Sequence, residues 1–521
     1  MSCTIDTDAN GVKSKLDEEA INRMPTKKVI VVGAGIGGLV TAIQLASRGL
    51  EVSVLERAGA PGGKMREVQV GAQRIDAGPT VFTMRWIFEE IFAEAGASLT
   101  DYLTLKPFEI LARHAWSEHE RFDLYADEER TVESIGDFAG SAEAKRYRGF
   151  CEHARTIFET LDEPFIRSSR PNPLSLVSRC GLQGFPGLRR IKPFDSLWQA
   201  LGEHFKDERL RQLFGRYSTY CGSSPFLAPA TLMLIAHVER QGVWSVEGGM
   251  HQTAVALARL AESLGASITY GADVAEILVE HGRASGVRLG SGERIRADAV
   301  VFNGDAAALA NGHLGPGVGR AVAKTSPAER SLSAITWSLV AQTEGFPLLR
   351  HSVFFCRDYA AEFEDIFGRG QVPREGTIYI CAQDRGDCDN APPQGPERLL
   401  CLLNAPAKGD RHPFDTAEIE QCEQRAFSLL ERCGLQVHRT PETSVVTTPA
   451  GFNQLFPATG GALYGQASHG WRASFTRPPS RSKVPGLYLA GGSAHPGAGV
   501  PMAAMSGRLA AATLLADLAS T

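Results

Sequence analysis

The stretch VVGAGIGGLV, from Val31 to Val40, decides the fold of this chain. It carries three glycines at the spacing G-x-G-x-x-G, namely Gly33, Gly35 and Gly38. The residues just before it, KVIVV, form an apolar run that is typical of a buried parallel strand. A helical pattern ending near Gly49 follows, and a second predicted strand runs from Glu51 to Leu55. This β-turn-α-β order is the context in which the glycine motif binds a nucleotide diphosphate.

Each glycine of the motif has its own task. Gly33 permits the tight turn out of the strand, Gly35 lets the backbone approach a diphosphate, and Gly38 allows the helix to pack closely on the sheet. The diphosphate would lie at the positive amino end of the helix, against free N–H groups. Glu56 ends the second strand 18 residues after Gly38, so its carboxylate would accept hydrogen bonds from a ribose diol and repel a 2′-phosphate.

The composition limits the remaining possibilities. The 521 residues are too many for one ordinary domain, so we expect two or three lobes. Lys and Arg number 54 against 59 Asp and Glu, and the net charge of −5 gives no reason to expect a nucleic-acid partner. The ten Cys include no C-x-x-C pair, which favours reduced thiols in a cytoplasmic protein and no metal site. Residues 1–25 predict a disordered tail and no secretory signal, and no apolar run reaches the ~20 residues that span a bilayer.

Two features favour FAD over NAD as the nucleotide. Arg57 directly follows Glu56, and Gly62, Gly63 and Lys64 come shortly after, in a stretch similar to the one with which FAD-binding proteins pass the diphosphate and the flavin. A basic residue there would balance phosphate charge. No second G-x-G-x-x-G lies between a predicted strand and a helix, so we expect no NAD site. Electrons would then leave to a diffusible acceptor, either oxygen or a quinone.

The chain from Lys28 to Leu518 resembles the bacterial-type carotenoid desaturases, the phytoene desaturase branch of the amine oxidase-like flavoproteins. The resemblance lies in five stretches, VVGAGIGGL, EGGMHQTAVALARLAESLGA, LRHSVFFCRDYAAEFEDIF, FPATGGALYG and LYLAGGSAHPGAGVPMAAMSGRLAA. Within the family, the stretches HPGAGVPMAAMSGRLAA and CRDYAAEFEDIF are most similar to those of the 1-hydroxycarotenoid 3,4-desaturases, also called methoxyneurosporene dehydrogenases.

The resemblance implies FAD as the cofactor and adds residues to its site. Val274 would lie against the adenine through its backbone, and Gly491 and Gly492 would form a turn after the final strand. The last helix would point its amino end at the flavin, with N–H donors around Gly499 to Met502 that stabilise negative charge. The predicted FAD-binding residues are Gly33, Gly35, Gly38, Glu56, Arg57, Gly63, Lys64, Val274, Gly491, Gly492, Gly499, Val500 and Met502.

The implied reaction removes a hydride and a proton from an acyclic carotenoid, most similar to formation of the 3,4 double bond of a 1-hydroxylated substrate. The proton acceptor stays open: His495 is either a base or a residue that positions its loop, Glu143 and Arg148 are weaker candidates, and water or the flavin would also serve. Three other enzymes of the same fold remain as alternatives, a phytoene desaturase, an amine oxidase and a carotene isomerase. A non-enzymatic prenyl-binding protein of this fold is a further one.

A lipid substrate requires a route from a membrane. Between Pro164 and Phe194 the sequence has no acidic residue, but it has six basic ones interleaved with apolar residues. These six are Arg167, Arg170, Arg179, Arg189, Arg190 and Lys192. The pattern predicts a monotopic patch that holds the protein peripherally on the cytoplasmic side of a membrane. An ordinary solvated loop would have a similar composition.

The expected architecture is α/β. A Rossmann-like FAD-binding domain would be assembled from residues 26–112, 241–305 and 484–521. Residues 113–240 would form a helical, membrane-facing part. Residues 306–483 would form a mixed α+β substrate domain around an antiparallel sheet.

Overall fold

The structure is a computed structural model that describes residues 27–169, 191–387 and 393–520. Its helices are α1 (Ile36–Ala46), α2 (Arg85–Glu94), α3 (Glu128–Ala139), α4 (Ser141–Leu161), α5 (Leu197–His204), α6 (Glu208–Gly215), α7 (Leu234–Arg240), α8 (His251–Ser263), α9 (Ala306–Ala310), α10 (Tyr359–Phe363), α11 (Thr416–Arg432), α12 (Pro449–Leu455) and α13 (Val500–Ala519). Its strands are β1 (Lys28–Val32), β2 (Glu51–Glu56), β3 (Glu67–Val70), β4 (Gln73–Asp76), β5 (Phe82–Thr83), β6 (Leu105–Pro107), β7 (Ile110–Ala115), β8 (Arg121–Tyr125), β9 (Val243–Val246), β10 (Ser267–Tyr270), β11 (Val274–Glu280), β12 (Arg283–Leu289), β13 (Arg294–Arg296), β14 (Ala299–Phe302), β15 (Ser333–Gly345), β16 (His351–Phe354), β17 (Ile378–Ala382), β18 (Glu397–Ala405), β19 (Leu435–His438), β20 (Ser444–Thr447) and β21 (Leu487–Leu489).

A five-stranded parallel sheet forms the first half of the molecule, in the order β10-β2-β1-β14-β21. Its strands come from three distant parts of the sequence, and the register pairs Val31 with both Val54 and Val301. The β1-α1-β2 unit read from the glycine motif is confirmed. Every residue of α1 is buried, because α8 and α13 cover it on the side away from the sheet.

The last helix, α13, packs against α1 at very close range. A Cβ on Gly507 would overlap the carbonyl oxygen of Gly37, and the Thr41 hydroxyl donates to the carbonyl oxygens of both Gly37 and Gly507, at 2.7 and 3.2 Å. Among the described helices α13 alone has the length and apolar composition of a membrane span. Its packing on α1 identifies it as a core helix of this half.

An eight-stranded sheet forms the second half. Seven strands follow the order β19-β15-β18-β17-β16-β7-β8, and β20 also pairs with β15. Neighbours are antiparallel except β16 and β7, which run parallel. The predicted antiparallel sheet of the substrate domain is therefore present with one parallel pair. Two of its strands, β7 and β8, come from residues 110–125, which the sequence analysis assigned to the FAD domain and the helical part.

The helical part begins after these strands, at α3, and runs to α7. Its core is rich in aromatic side chains, with Phe150, Phe205 and Phe214 fully buried and 4.7 to 5.2 Å apart between ring centroids. The predicted tail and residues 170–190 of the predicted membrane patch lie outside the described residues.

Candidate active site

The glycine turn between β1 and α1 presents backbone to the cavity beside it. Gly33 has φ +101°, which L side chains rarely adopt, and its N–H donates to the Leu55 carbonyl at 2.8 Å. The side chain of Asn303 lies under the turn, with Nδ2 3.1 Å from the position that a Cβ on Gly35 would take. The N–H groups of Ile36 and Gly37, the first two of α1, have no acceptor one turn earlier, so they are available to an anion.

Gly37 and Gly38 serve packing inside the protein. A Cβ on Gly38 would overlap the Gly33 carbonyl, and the Gly38 N–H donates to Asn303 Oδ1. A Cβ on Gly37 would lie only 2.6 Å from the Gly491 nitrogen. The tight contact predicted for Gly38 is therefore made within the turn. Close packing toward the last segment of the chain depends on Gly37, which was not among the predicted residues.

Glu56 closes β2 with a buried carboxylate. Oε2 accepts a hydrogen bond from the Ala34 N–H at 2.7 Å, and Oε1 accepts one from the Ala58 N–H at 2.8 Å. Its backbone carbonyl accepts from the Ala272 N–H at 2.9 Å, two residues before Val274. Each carboxylate oxygen has a second lone pair, so Glu56 retains the capacity to bind a ribose diol.

The two basic residues predicted to balance phosphate charge lie in different surroundings. Arg57 is exposed at the edge of the cavity. Lys64 donates from Nζ to the Leu463 carbonyl at 2.6 Å, and burial lowers its pKa. Gly63 has φ +61°, and a Cβ there would lie 3.4 Å from the Gly35 Cα, so the two glycine turns approach each other closely.

The loop between β21 and α13 completes the nucleotide end. Gly491 has φ +108°, and its N–H donates to Ser506 Oγ at 3.2 Å. The Gly492 carbonyl accepts from Arg477 Nη1 at 2.9 Å. Gly499, with φ +104°, directly precedes α13, whose first N–H groups are again without intrahelical acceptors.

Asp76 connects this end to the substrate-side sheet. Its carboxylate accepts hydrogen bonds from the Met250 and His251 N–H groups, at 2.7 and 3.1 Å, at the amino end of α8. The Gln383 side chain bonds to both backbone groups of Asp76, at 3.0 and 2.8 Å. Asp76 thus fixes the helix end through its side chain and is held to the substrate-side sheet through its backbone.

One cavity of about 930 Å³ joins the glycine turns to the substrate-side sheet. All but one of the predicted FAD-binding residues line it, the exception being Gly38 beneath the turn. The lining residues are Gly33, Gly35, Glu56, Arg57, Gly63, Lys64, Val274, Gly491, Gly492, Gly499, Val500 and Met502. Three glycine turns without side chains and two helix amino ends suit a ligand with a diphosphate, so the residues present fit FAD.

None of the three side chains considered for proton transfer lines the cavity. His495 Nε2 bonds to the Phe165 carbonyl at 3.0 Å, and burial lowers its pKa to about 4, so it is neutral at physiological pH. This geometry favours a role in positioning its loop. Glu143 forms an ion pair within α4, and Arg148 pairs with the exposed Glu129.

The cavity wall opposite the glycine turns is largely aliphatic and aromatic, which suits a hydrocarbon ligand. Its residues come from the helical part, the eight-stranded sheet and the segment after α12. They include Leu161, Leu213, Ile235, Val353, Leu400, Leu402, Phe456 and Phe475.

A polar cluster interrupts this wall. Tyr217 Oη donates to Glu239 Oε2 at 2.6 Å, and the Arg216 guanidinium lies 5.7 and 5.3 Å from the ring centroids of Tyr220 and Tyr379. All five residues line the cavity, and we call them the Arg216 cluster. Burial raises the pKa of Glu239 to about 7, although hydrogen bonds from both Tyr217 and Tyr220 and the charge of Arg216 lower it.

Neutral polar groups connect this cluster to the nucleotide end. Tyr379 Oη hydrogen-bonds to Thr80 Oγ1 at 2.6 Å and to His351 Nδ1 at 2.8 Å. Thr80 follows Gly78 by two residues, and a Cβ on Gly78 would overlap the Lys64 carbonyl. Burial lowers the pKa of His351 to about 3, so it adds no charge at neutral pH.

An exposed apolar patch adjoins the cavity, and we call Phe194, Leu227 and Trp471 the apolar rim. Phe194 is 75% exposed and Leu227 50%. The Phe194 ring lies 5.6 Å from that of Trp471, which also lines the cavity, and the Gly470 N–H donates to the Leu227 carbonyl at 2.8 Å.

The basic stretch beside the rim carries less free charge than its sequence indicates. Arg167 forms ion pairs with Glu90 and Asp162 at 3.2 and 3.3 Å, and Lys192 pairs with Glu203. These acids lie outside the acid-free stretch, so the sequence pattern did not indicate them. The other basic residues, Arg170, Arg179, Arg189 and Arg190, lie outside the described residues.

Several residues of the site were not predicted, among them Asn303, Asp76, Arg216 and Glu239. Asn303 and Asp76 act on backbone far away in sequence, so no local pattern marks them. An Arg and a Glu in the apolar surroundings of 213–239 were the signal available for the Arg216 cluster.

Several known proteins are similar to this chain in sequence or in fold. A family model described as flavin containing amine oxidoreductase matches residues 36–515. A hydroxyneurosporene desaturase from Rubrivivax gelatinosus is 58% identical over 497 residues, covering 95% of this chain and 94% of that protein. A 1-hydroxycarotenoid 3,4-desaturase from Flavobacterium sp. is 29% identical over 494 residues, covering 93% and 98%. Among solved structures, cyclohexylamine oxidase from Brevibacterium oxydans matches with a TM-score of 0.53 at 17% identity, covering 95% of this chain and 100% of that one, which shows the fold alone.

Proposed function

This chain belongs to the flavin-containing amine oxidoreductase family, and we propose that it introduces the 3,4 double bond of a 1-hydroxylated acyclic carotenoid. It is an FAD-dependent oxidoreductase of the carotenoid desaturase type, with hydroxyneurosporene desaturases among its relatives. One observation carries the proposal: the FAD-binding turns and a largely apolar wall interrupted by the Arg216 cluster share one cavity.

The residues of the cavity suit hydride removal from a polyene. FAD, when bound, supplies the hydride acceptor. The first N–H groups of α13, after Gly499, would stabilise negative charge that develops beside them. The apolar wall excludes water and holds the hydrocarbon by burial, while a cation formed next to the polyene is delocalised along the substrate itself.

We further propose that the reduced enzyme passes its electrons to a diffusible acceptor, oxygen or a quinone. The sequence has one dinucleotide motif, which FAD occupies, so a bound nicotinamide is not part of this scheme.

We also propose that the protein binds peripherally to the cytoplasmic face of a membrane, through the apolar rim. Among the described residues, Phe194 and Leu227 are the most exposed large apolar side chains, and Trp471 joins that surface to the cavity. A carotenoid leaving the bilayer at the rim would reach the cavity without crossing water. Because Arg167 and Lys192 already form ion pairs with acidic side chains, burial of the apolar rim is a source of membrane attraction that does not depend on their charges.

Product analysis tests the reaction. The FAD-loaded protein is supplied with phytoene, lycopene or 1-hydroxyneurosporene in liposomes, with oxygen or a quinone, and the pigments are identified. We expect a red-shifted product mainly from the hydroxylated carotenoid. Efficient conversion of phytoene would favour a phytoene desaturase instead. No conversion of any of the three by a flavin-loaded protein would contradict the proposed function.

A further inference from the structure

The Arg216 cluster has no evident task in binding FAD. Among the described residues Arg216 forms no ion pair with a carboxylate, and its guanidinium lies against the rings of Tyr220 and Tyr379. Glu239 is half-buried in the cavity wall and accepts a hydrogen bond from Tyr217. A charged or polar group in such a place costs free energy unless hydrogen bonds compensate it. A purely hydrocarbon ligand would displace water from the cluster and give no hydrogen bond in return.

The proposed substrate has one polar group that matches the cluster. A tertiary hydroxyl has one O–H to donate and lone pairs to accept. Glu239 can accept a hydrogen bond from the O–H, and Arg216 and Tyr220 can donate one to the oxygen. The raised pKa of Glu239, about 7, leaves part of it ionised at neutral pH.

The position of the cluster also matches the reaction. In a 1-hydroxylated carotenoid only the C1–C2 and C2–C3 bonds separate the carbon that carries the hydroxyl from the bond that becomes C3=C4. The receptor for the hydroxyl must therefore lie beside the flavin site and not at the far end of a long tunnel. Arg216 meets that requirement, because it contacts Tyr379, which bonds to Thr80 next to the Gly78 turn.

We propose that the Arg216 cluster is the receptor for the terminal hydroxyl, with Glu239 accepting a hydrogen bond from the O–H and Arg216 donating one to the oxygen. This inference rests on the proposed function and names the residues that set its substrate specificity. The cluster selects the substrate because a polyene end without a hydroxyl removes water from both residues and gives them no new hydrogen bond in return. Sites built to bind a hydroxyl reject analogues that lack it by large factors.

The test compares hydroxylated and unhydroxylated polyenes with two variants. Glu239→Gln removes the charge and keeps the shape, and the double variant Arg216→Met with Glu239→Met replaces both polar partners by apolar ones. For 1-hydroxyneurosporene we expect kcat/KM to fall by about 100-fold in either variant. For neurosporene, which lacks the hydroxyl, kcat/KM should not fall in either variant and should rise in the second, where both desolvated polar groups are gone. Glu262→Gln, an exposed site on α8, is the matched control.

Binding to the dithionite-reduced holoenzyme, followed by tryptophan fluorescence quenching, separates this inference from the reaction itself. The reduced wild type should bind 1-hydroxyneurosporene more tightly than neurosporene, and both variants should lose that preference while they retain FAD and still unfold in one cooperative thermal transition. An equal fall for both polyenes would identify a general or proton-transfer role and overturn the receptor. An unchanged preference in both variants would overturn it as well. A preference in binding without any turnover by the wild type would retain the receptor and contradict the proposed function.

Discussion

The two ends of the cavity are built by different means. The nucleotide end is made of backbone: glycine turns at Gly33, Gly63 and Gly491, and the first N–H groups of α1 and α13. The substrate end is made of side chains that come from the helical part and the eight-stranded sheet, with the Arg216 cluster among apolar residues. Backbone sites tolerate almost no added atoms, whereas side-chain sites set specificity and tolerate substitution. Variants of each end can test how far this division holds.

The largest effect is expected at the nucleotide end. Gly35→Val would place a branched side chain against Asn303, whose Nδ2 lies 3.1 Å from the new Cβ, and into the space for the diphosphate. We expect complete loss of FAD from the purified protein, measured by its absorbance near 450 nm and by released flavin. Gly59→Ala is the control, because a Cβ there meets nothing within 4 Å and its φ is not positive. Full FAD content in Gly35→Val would contradict the assignment of the turn.

A smaller effect is expected at the substrate end, and it depends on pH. The pKa of Glu239 is raised to about 7 from 4.5, so the folded protein keeps a proton that the unfolded chain releases. Stability should therefore fall as pH rises from 4.5 to 7 and stay low above 7. The loss amounts to at most about 3 kcal/mol.

The Glu239→Gln variant checks this expectation. Its Tm should exceed that of the wild type at pH 8 and match it near pH 5, in scans of the FAD-loaded protein. Glu262→Gln should follow the wild type at both pH values. If the Tm of the wild type and of Glu239→Gln changed in parallel with pH, burial would not raise the pKa of this carboxyl. That result would weaken the contrast between the two ends.

The smallest effect is expected at the apolar rim, which lies outside both ends. The double variant Phe194→Ser with Leu227→Ser removes two exposed apolar side chains, and we expect about a tenfold loss in liposome sedimentation. Tyr270→Ser is the matched control, since Tyr270 is 36% exposed on β10 in the other half. Binding of the double variant equal to that of the wild type would refute the membrane proposal, and FAD content should stay the same throughout.

The sequence allowed the nucleotide end to be predicted because its chemistry is local. The glycine spacing, the apolar strand and Glu56 lie within 29 residues. Each can be interpreted from the local sequence, without knowledge of the distant residues that it contacts. No local pattern of this kind marks the C-terminal glycines Gly491, Gly492 and Gly499. Their assignment to the FAD site came from the family resemblance. Twelve of the predicted FAD-binding residues line the cavity, whereas Gly38 supports the turn from below.

The features that could not be predicted depend on contacts between segments far apart in the sequence. Asp76 caps α8, which lies 174 residues further along the chain, and Arg216 of the helical part meets Tyr379 of the eight-stranded sheet. The charge pattern near 164–194 could not reveal that Glu90 and Glu203 approach Arg167 and Lys192 from other elements. The inclusion of β7 and β8 in the substrate-side sheet likewise follows from pairing with β16, which no pattern within 110–125 indicates.

Asn303 has a consequence for how the protein is made. Its side chain contacts the turn at Gly35 and Gly38, and it lies 3.3 Å from the Cβ position of Gly491. β1, β14 and β21 are neighbours in one sheet, so the first and last segments of the chain meet around this residue. During synthesis the ribosome must therefore release α13 before the FAD site is complete. A chain cut short after the substrate-side sheet would hold most of its residues and no flavin, and premature termination would leave a colourless product for proteolysis.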